Sequence, residues 1–129
     1  ERYKGELNSI IMQKNDNLID LNYELINFFR EHLNIKTETI KASNLDVEGS
    51  RSELLLNICK KTNADVYLAG PSAKDYLDIE IFRQNGIDVM FHNFNHPEYP
   101  SRNFMPFLST LDLLMNCGPD SRSYLLKDN

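Results

Sequence analysis

Short apolar runs that favour β-strands recur through the middle of the chain, and they constrain the fold more than any other feature. Residues 35–42 are threonine-rich and β-prone, residues 66–69 read Val-Tyr-Leu-Ala, and residues 87–91 place Ile87, Val89 and Phe91 at alternate positions. Stretches with apolar residues at helical spacing separate these runs. Alternating strands and helices with short connections are typical of βαβ crossovers. The sequence therefore predicts an α/β fold with a short parallel sheet of about three strands flanked by helices, in a Rossmann-like arrangement.

Helical patterns occupy most of the remaining chain. Ser50 to Glu53 has the spacing of a capping box and predicts a helix from about residue 52 to residue 61. Pro71 suits a first helical turn, so a helix is predicted over residues 72–84, before Asn85-Gly86. Further helices are predicted over residues 6–14, 17–33, 106–116 and 119–126. A helix or helical pair thus precedes the sheet, and residues 1–129 are expected to form a single α/β domain.

Composition and charge exclude several function classes. The net charge of −5 and the pI near 5.1 are the opposite of the basic surface that binds nucleic-acid phosphates, so no nucleic-acid partner is predicted. The chain contains no apolar run of about 18 residues and no leader-like segment, so no transmembrane segment is predicted and a cytoplasmic location is the default. Cys59 and Cys117 lie in apolar helical surroundings, which fits reduced core residues better than a disulfide.

Residues 92–104, His-Asn-Phe-Asn-His-Pro-Glu-Tyr-Pro-Ser-Arg-Asn-Phe, concentrate reactive side chains in a stretch that cannot be helical. Pro97 and Pro100 fix their own φ angles and restrict the residues before them. Irregular loops of this kind often carry binding or catalytic groups. In a parallel sheet this loop would follow the carboxyl end of the third strand, on the same edge as residues 43–45 and 70–74. The sequence therefore predicts one ligand crevice at that edge.

An anion site is one interpretation of the segment after the second predicted strand. Gly70 would let the backbone approach a ligand, the following helix would begin with free N–H groups at Ser72, and Lys74 would add a positive charge. The alternative is an ordinary turn. Gly70 lacks the further glycines of a phosphate loop or dinucleotide fingerprint, and no ATP motif is recognisable, so the sequence indicates no particular cofactor.

His96 has two interpretations. It can act as a general acid/base or as a ligand donor, because imidazole changes protonation near neutral pH. It can equally fasten the loop to backbone carbonyls. Tyr99 has the same two interpretations. His92 and His96 are four residues apart, but zinc pairs at that spacing normally lie on one helix or join cysteines, so no metal site is predicted.

Several other polar residues are candidates for the walls of the crevice. Ser109 and Asp112 suit helix capping as well as a pocket wall, and Arg51 and Glu53 are either pocket groups or solvated charges. The residues predicted to bind substrate are Ser43, Arg51, Glu53, Tyr67, Gly70, Ser72, Lys74 and Ser109.

A series of short motifs, in order from about Ser43 onward, resembles the WbqC-like protein family. The motifs are Ile58-Cys59-Lys60-Lys61, Ala64-Asp65-Val66-Tyr67-Leu68-Ala69-Gly70, Tyr76-Leu77-Asp78, Gly86-Ile87, His96-Pro97-Glu98-Tyr99-Pro100, Ser109-Thr110-Leu111-Asp112-Leu113-Leu114 and Asn116-Cys117-Gly118. The chain departs from the family pattern at Ala69, where serine is common, and at Ser101, where glutamine often stands. It also lacks the first strand and the Met-Gln-Pro segment of that family, so a carboxyl-terminal fragment of a longer protein is expected.

The resemblance implies a protein of bacterial surface-polysaccharide (O-antigen, lipopolysaccharide) biosynthesis, and a transferase that joins glycine or another acyl or aminoacyl group to a sugar. The implied partner is a small molecule, a nucleotide- or lipid-linked sugar. A narrower version of the hypothesis is an ATP-using ligase, because amide formation needs activation, but the donor can equally arrive already activated. The residues assigned to catalysis under this hypothesis are His96, for proton transfer, with Tyr99 and Asp112 for orientation. One alternative is a non-catalytic sugar- or nucleotide-binding partner in polysaccharide assembly. Another is a purely structural loop, with the true site on the segment that the chain lacks.

Overall fold

Six α-helices and two β-strands occur in the part of the chain that the structure, a computed structural model, describes, namely residues 2–14 and 16–126. The helices are α1 (Lys4–Met12), α2 (Leu18–His32), α3 (Arg51–Lys61), α4 (Ile79–Gln84), α5 (Thr110–Cys117) and α6 (Ser121–Leu125), and the strands are β1 (Val66–Ala69) and β2 (Asp88–Phe91). Short 3₁₀ turns lie at Ala42–Asn44, Pro71–Asp75 and Gly118–Asp120. The helix prediction over residues 17–33 is confirmed as α2, and that over residues 6–14 as α1, which begins two residues earlier.

The chain divides into two units. The helical unit consists of Glu1–Thr37 together with Asn95–Asn129, and the sheet unit consists of Glu38–Phe94. None of the described helices combines the length and the apolar character that crossing a bilayer requires.

The sheet unit contains the two strands, which pair in parallel with Val66 opposite Asp88 and Ala69 opposite Phe91. The Pro71–Asp75 turn and α4 connect them, as expected for a crossover between parallel strands. Phe82 on α4 is fully buried, and its ring stacks on that of Tyr67 at a centroid distance of 5.3 Å. The buried core residues of this unit are Leu56, Cys59, Ala69, Ala73, Leu77, Phe82 and Ile87. The α/β class predicted from the sequence is therefore confirmed.

The prediction of a third strand over residues 35–42 is wrong, and the Rossmann-like arrangement is not confirmed. The described sheet has two strands, and residues 35–41 are irregular. Ile40 is exposed, so the β-prone side chains of this stretch have no sheet surface on which to pack. Arginine side chains, instead of a neighbouring strand, bind carbonyls in and just before it: Arg30 donates to the carbonyl of Thr37, and Arg122 to those of Leu33 and Asn34.

The helix predicted over residues 72–84 is interrupted. A 3₁₀ turn ends at Asp75, and α4 begins only after Asp78, whose side chain accepts a hydrogen bond from the Glu80 N–H at 3.2 Å. The Asp78 N–H donates in turn to Ser52 Oγ at 3.0 Å. An N-cap residue has non-helical backbone, so Asp78 separates the two segments.

The helical unit is built on α1, α2 and α5. Its buried cluster consists of Tyr3, Phe28, Leu33 and Leu114. The His32 ring lies against both Tyr3 and Phe28, with centroid distances of 4.7 and 4.6 Å, and His32 Nε2 is 2.8 Å from Glu6 Oε2. These contacts join the first two helices, so the predicted amino-terminal helical pair is confirmed.

The helix predicted over residues 106–116 begins later, at Thr110. Ser109 is its N-cap, and its hydroxyl accepts a hydrogen bond from the Leu111 N–H at 3.3 Å. Residues 105–109 remain an exposed loop in which Phe107 has a φ of +63°. Positive φ is unfavourable for a bulky side chain, so this loop cannot continue the helix.

Candidate functional site

Tyr99 and Asp112 form the best-defined polar contact among the predicted site residues. The Tyr99 hydroxyl donates a hydrogen bond to Asp112 Oδ2 at 2.7 Å. Tyr99 is buried and follows Pro97, which is also buried, whereas Asp112 lies in the first turn of α5. Asp112 stands three residues after the N-cap Ser109, which is the spacing of a capping box. Its Oδ2 accepts the hydrogen bond from the Tyr99 hydroxyl. The contact thus fastens the proline-containing loop to α5.

His96 is half-buried among aromatic rings of the helical unit. Its ring centroid lies 5.3 Å from that of Phe107, 6.1 Å from that of Tyr99 and 6.2 Å from that of Phe104. Phe104 packs edge-on against Tyr99 at 5.1 Å, and Tyr124 of α6 does so at 6.5 Å. We call His96, Tyr99, Phe104, Phe107 and Asp112 the His96 cluster. It places an imidazole beside apolar faces and next to a carboxylate-bound phenol.

The ionisation of Tyr99 determines what the phenol can do chemically. Burial, and after it the hydrogen bond and the charge of Asp112, raise the pKa of Tyr99 to about 12. The phenol therefore keeps its proton at neutral pH. Tyr99 can donate and orient, but it cannot serve as a base.

Phe107 borders solvent at this cluster, and Ser101 lies two residues after Tyr99 in the same loop. Phe107 is 83% exposed in spite of its contact with His96, so one face of the cluster is open to solvent. Ser101 Oγ is buried, and it has no hydrogen-bond partner among the described residues. The sequence did not predict Phe107; the available signal was the apolar run Phe104-Met105-Pro106-Phe107-Leu108 in a loop.

In the sheet unit, the segments after β1 and β2 emerge from the same edge, as parallel pairing requires. The His92 N–H donates to the carbonyl of Ala69 at 2.8 Å, which extends the pairing by one residue. Lys74 Nζ lies 5.2 Å from the centroid of the Phe91 ring, a cation–π distance. Gly70, Ser72 and Lys74 are exposed. This edge presents the three residues predicted to bind an anion.

A cleft of about 510 Å³ lies elsewhere in the sheet unit, lined by Arg51, Leu54, Leu55 and Tyr76. Arg51 was predicted from the sequence as a pocket residue, whereas Tyr76 was noted in the predicted helix over residues 72–84 and in the family resemblance, not as a site residue. Glu53 does not line this cleft; its side chain lies beside Gly49.

The remaining predicted residues have simpler surroundings. Ser43 is exposed in the Ala42–Asn44 turn, and Tyr67 packs on Phe82 in the core of the sheet unit. His96, Tyr99 and Asp112 lie in the helical unit, whereas Ser43, Arg51 and the Gly70–Lys74 segment lie in the sheet unit. The described sheet supplies two strand ends, not the three from which a single crevice was expected, and a common crevice for these residues stays a prediction.

Both cysteines have free thiols. Burial raises the pKa of Cys59, and burial together with the negative charges of Asp120 and Asp112 raises the pKa of Cys117. A raised pKa disfavours the thiolate, which is the reactive form of cysteine. Within the described ranges, no group of three or more histidine, cysteine, aspartate and glutamate side chains lies where it could hold a metal ion.

Comparison with known proteins places the chain in a family. The uncharacterized protein Rv1507c of Mycobacterium tuberculosis is 31% identical over 116 residues, which is 88% of this chain. The match covers 50% of Rv1507c, so the chain spans about half the length of this relative. No solved structure matches the chain significantly. The model of the WbqC-like protein family matches residues 1–124, so the resemblance predicted from Ser43 onward extends to the amino-terminal helices. The chain belongs to the WbqC-like protein family.

Proposed function

We propose that this protein acts in the assembly of a bacterial surface polysaccharide of the O-antigen type, and that it transfers glycine or a related aminoacyl group to a sugar. Membership of the WbqC-like family gives the starting point. The observation that carries the proposal is the His96 cluster, in which an imidazole lies beside a phenol that is hydrogen-bonded to a carboxylate and beside an exposed phenyl ring.

Acyl transfer to an amine requires a group that removes a proton, and His96 is the candidate. The amino group of an aminosugar attacks the carbonyl carbon of an activated glycine, such as a thioester or an ester. A C–N bond forms and the bond from carbon to the leaving group breaks. His96 accepts the proton that the amine loses and returns it to the leaving group, so the imidazole ends the cycle unchanged. This step needs no further reactant.

Tyr99 and Asp112 serve this step as positioning residues. Asp112 Oδ2 accepts a hydrogen bond from the Tyr99 hydroxyl at 2.7 Å, and the centroid of the phenol ring lies 6.1 Å from that of the His96 ring. Pro97 and Pro100 limit the backbone between them. The arrangement holds the imidazole in one place, and accurate placement of a catalytic group contributes strongly to rate.

Phe107 supplies a surface for the acceptor. Its ring is 83% exposed and adjoins His96 at 5.3 Å. The C–H face of a pyranose ring is apolar and packs well on an aromatic face. An acceptor sugar on Phe107 would bring its amino group towards the imidazole.

The sheet unit is proposed to contribute separately. Gly70, Ser72 and Lys74 are assigned to an anionic group, because all three are exposed after β1 and Lys74 carries a positive charge.

A transfer assay tests the proposal. Purified protein is incubated with labelled glycine, supplied free with ATP or as an activated donor, and with a panel of aminosugars carried on nucleotides or lipids. We expect label in the sugar product, and His96→Gln is expected to lower the rate by about 10²–10⁴-fold. His92→Gln is the matched control, since His92 is exposed and stacks on Phe94 in the sheet unit. Absence of transfer from every donor, with unchanged surface glycan in a deletion strain, would refute the proposal.

The second candidate is a non-catalytic sugar-binding partner in polysaccharide assembly. The exposed Phe107 ring favours it, because stacking on that ring needs no proton transfer. Phe107→Ala would weaken sugar binding under both hypotheses. His96→Gln separates them: full function in cells supports binding alone, whereas retained sugar affinity with lost function supports catalysis.

A further inference from the structure

We infer that the cleft lined by Arg51, Leu54, Leu55 and Tyr76 binds a phosphate ester that carries a flat ring, and we assign it to a nucleoside phosphate. The inference deepens the proposed function, on which it rests in one respect: a nucleotide is one of the carriers proposed for the acceptor sugar. The cleft lies wholly within the sheet unit and shares no residue with the His96 cluster.

The size and the lining of the cleft suit a small ligand. Its volume is about 510 Å³, within the range of about 300–1,000 Å³ that is typical of such sites. Leu54 and Leu55 are half-buried and form an apolar wall. Tyr76 is 70% exposed, and its hydroxyl makes no hydrogen bond to the described residues. A large aromatic ring left open beside an apolar wall offers a stacking surface for another ring.

Among the described residues that line the cleft, Arg51 alone is charged. Its guanidinium makes no ion pair and no hydrogen bond within the described part of the chain. An arginine presents two parallel N–H groups that match the oxygens of a phosphate. The cleft therefore combines one anion-binding group with one ring-binding surface.

The backbone conformation of Arg51 indicates that its side chain has a role other than stabilising the local structure. Arg51 has a φ of +51°, in the left-handed region that glycine adopts without penalty. An arginine at such a position costs conformational energy that glycine would avoid. Because its side chain makes no hydrogen bond or ion pair with the described residues that would offset this cost, we attribute the arginine to ligand binding.

Titration with nucleotides tests the inference. ADP and UDP are titrated into the protein by calorimetry and by two-dimensional NMR, with adenosine, uridine and inorganic pyrophosphate as separate probes. We expect the nucleoside diphosphates to bind at least tenfold more tightly than either the nucleosides or pyrophosphate. Amide shifts are expected around Arg51 and Tyr76.

Variants identify the contributing groups. Arg51→Ala and Arg51→Gly are each expected to weaken nucleotide binding about tenfold to a hundredfold, and Arg51→Gly should leave the thermal midpoint unchanged or raised. Arg83→Ala removes another exposed arginine of the same unit and should not alter affinity. Tyr76→Ala should weaken binding, whereas Tyr76→Phe, which retains the ring, should not.

Two results would overturn the inference: no binding of either nucleotide, or equal loss of affinity in the Arg51→Ala and Arg83→Ala variants, which indicates unspecific charge attraction. The transfer assay keeps this failure separate from failure of the proposed function. If the protein transfers the aminoacyl group to a lipid-linked sugar but binds no nucleotide, the proposed transferase activity is supported and the nucleotide site is refuted. If nucleotide binding depends on Arg51 but no transfer occurs, the nucleotide site is supported and the proposed transferase activity is refuted.

Discussion

The Tyr99 hydroxyl donates a hydrogen bond to Asp112 Oδ2 at an O···O distance of 2.7 Å, and this bond joins the proline-containing loop to α5. Replacement of Tyr99 by Phe leaves a carboxylate without that donor. We expect the free energy of unfolding to fall by about 1.5–3 kcal/mol, the range for a hydrogen bond to a charged group. Urea denaturation measures this change. Tyr76→Phe is the control, because Tyr76 is exposed, and an equal loss in both variants would contradict the prediction.

Alkaline pH should destabilise the protein through the same residue. Burial and Asp112 raise the pKa of Tyr99 to about 12, above the ordinary value of about 10. Between about pH 10 and about pH 12 the unfolded chain loses this proton and the folded chain keeps it, so the free energy of unfolding decreases as pH rises. Below about pH 10 both the folded and the unfolded chain keep this proton, so the contribution of Tyr99 to the free energy of unfolding does not change with pH.

Urea midpoints at a series of pH values, for the natural protein and for Tyr99→Phe, measure this effect. The other tyrosines are common to both proteins, so the variant should show a shallower decline above about pH 10. Parallel declines would mean that Tyr99 has an ordinary pKa in the folded state.

Ser52 and Ser50 should respond differently to alanine substitution. Ser52 is buried, and its Oγ accepts the Asp78 N–H at 3.0 Å, whereas the side chain of Ser50 makes no capping hydrogen bond. Ser52→Ala leaves a backbone N–H unpaired and should cost about 1–3 kcal/mol. Ser50→Ala should change the free energy of unfolding by less than about 0.5 kcal/mol. Thermal or urea unfolding compares the two, and equal effects would exclude the bond to Asp78 as a stabilising contact.

Alanine substitutions at two glycines distinguish a glycine that the backbone conformation requires from one that only an approaching ligand would require. Gly118 has φ +56° and ψ −130°, which favours glycine, whereas Gly70 has φ −68° and ψ 159°, and a Cβ there would meet no atom within 4 Å. Gly118→Ala should cost about 1–3 kcal/mol, and Gly70→Ala should be neutral or stabilise by up to about 1 kcal/mol.

Gly70→Ala also tests the assigned anion site. If a ligand approaches the backbone at Gly70, this variant should bind phosphate more weakly although its urea midpoint is unchanged. Phosphate titration followed by NMR at Ser72 and Lys74 measures the change. Unchanged phosphate binding by the variant would exclude close approach at this position.

Elements with strong local patterns were predictable from the sequence. The helix α2 and both strands of the parallel pair lie where apolar periodicity places them. The interruption before α4 was not predictable, because it depends on Asp78, whose backbone pairs with a serine 26 residues away in sequence. The wrong prediction of a strand over residues 35–42 likewise results from contacts between residues that are distant in sequence. Its threonines favour strands, but Arg122, distant in sequence, binds the carbonyls just before it.

The candidate site was predictable in part. The sequence identified His96, Tyr99 and Asp112, and the structure brings these three side chains into one cluster; their roles stay predictions. It did not identify Phe107 or Tyr124 as neighbours, because aromatic residues in loops and short helices carry no spacing signal. The contact between Tyr124 and Tyr99 is produced by tertiary packing.

The sheet unit interrupts the helical unit along the chain, since residues 38–94 are continuous while the helical unit consists of two separate segments. Contacts such as the hydrogen bond from Arg122 to Leu33 join residues that are 89 apart in sequence, so they can form only when the long intervening segment closes into a loop. Proteins rich in short-range contacts fold faster than those that depend on distant ones. During synthesis, therefore, the sheet unit should be complete before α5 finds α2, and the His96 cluster should be among the last regions to acquire its native packing.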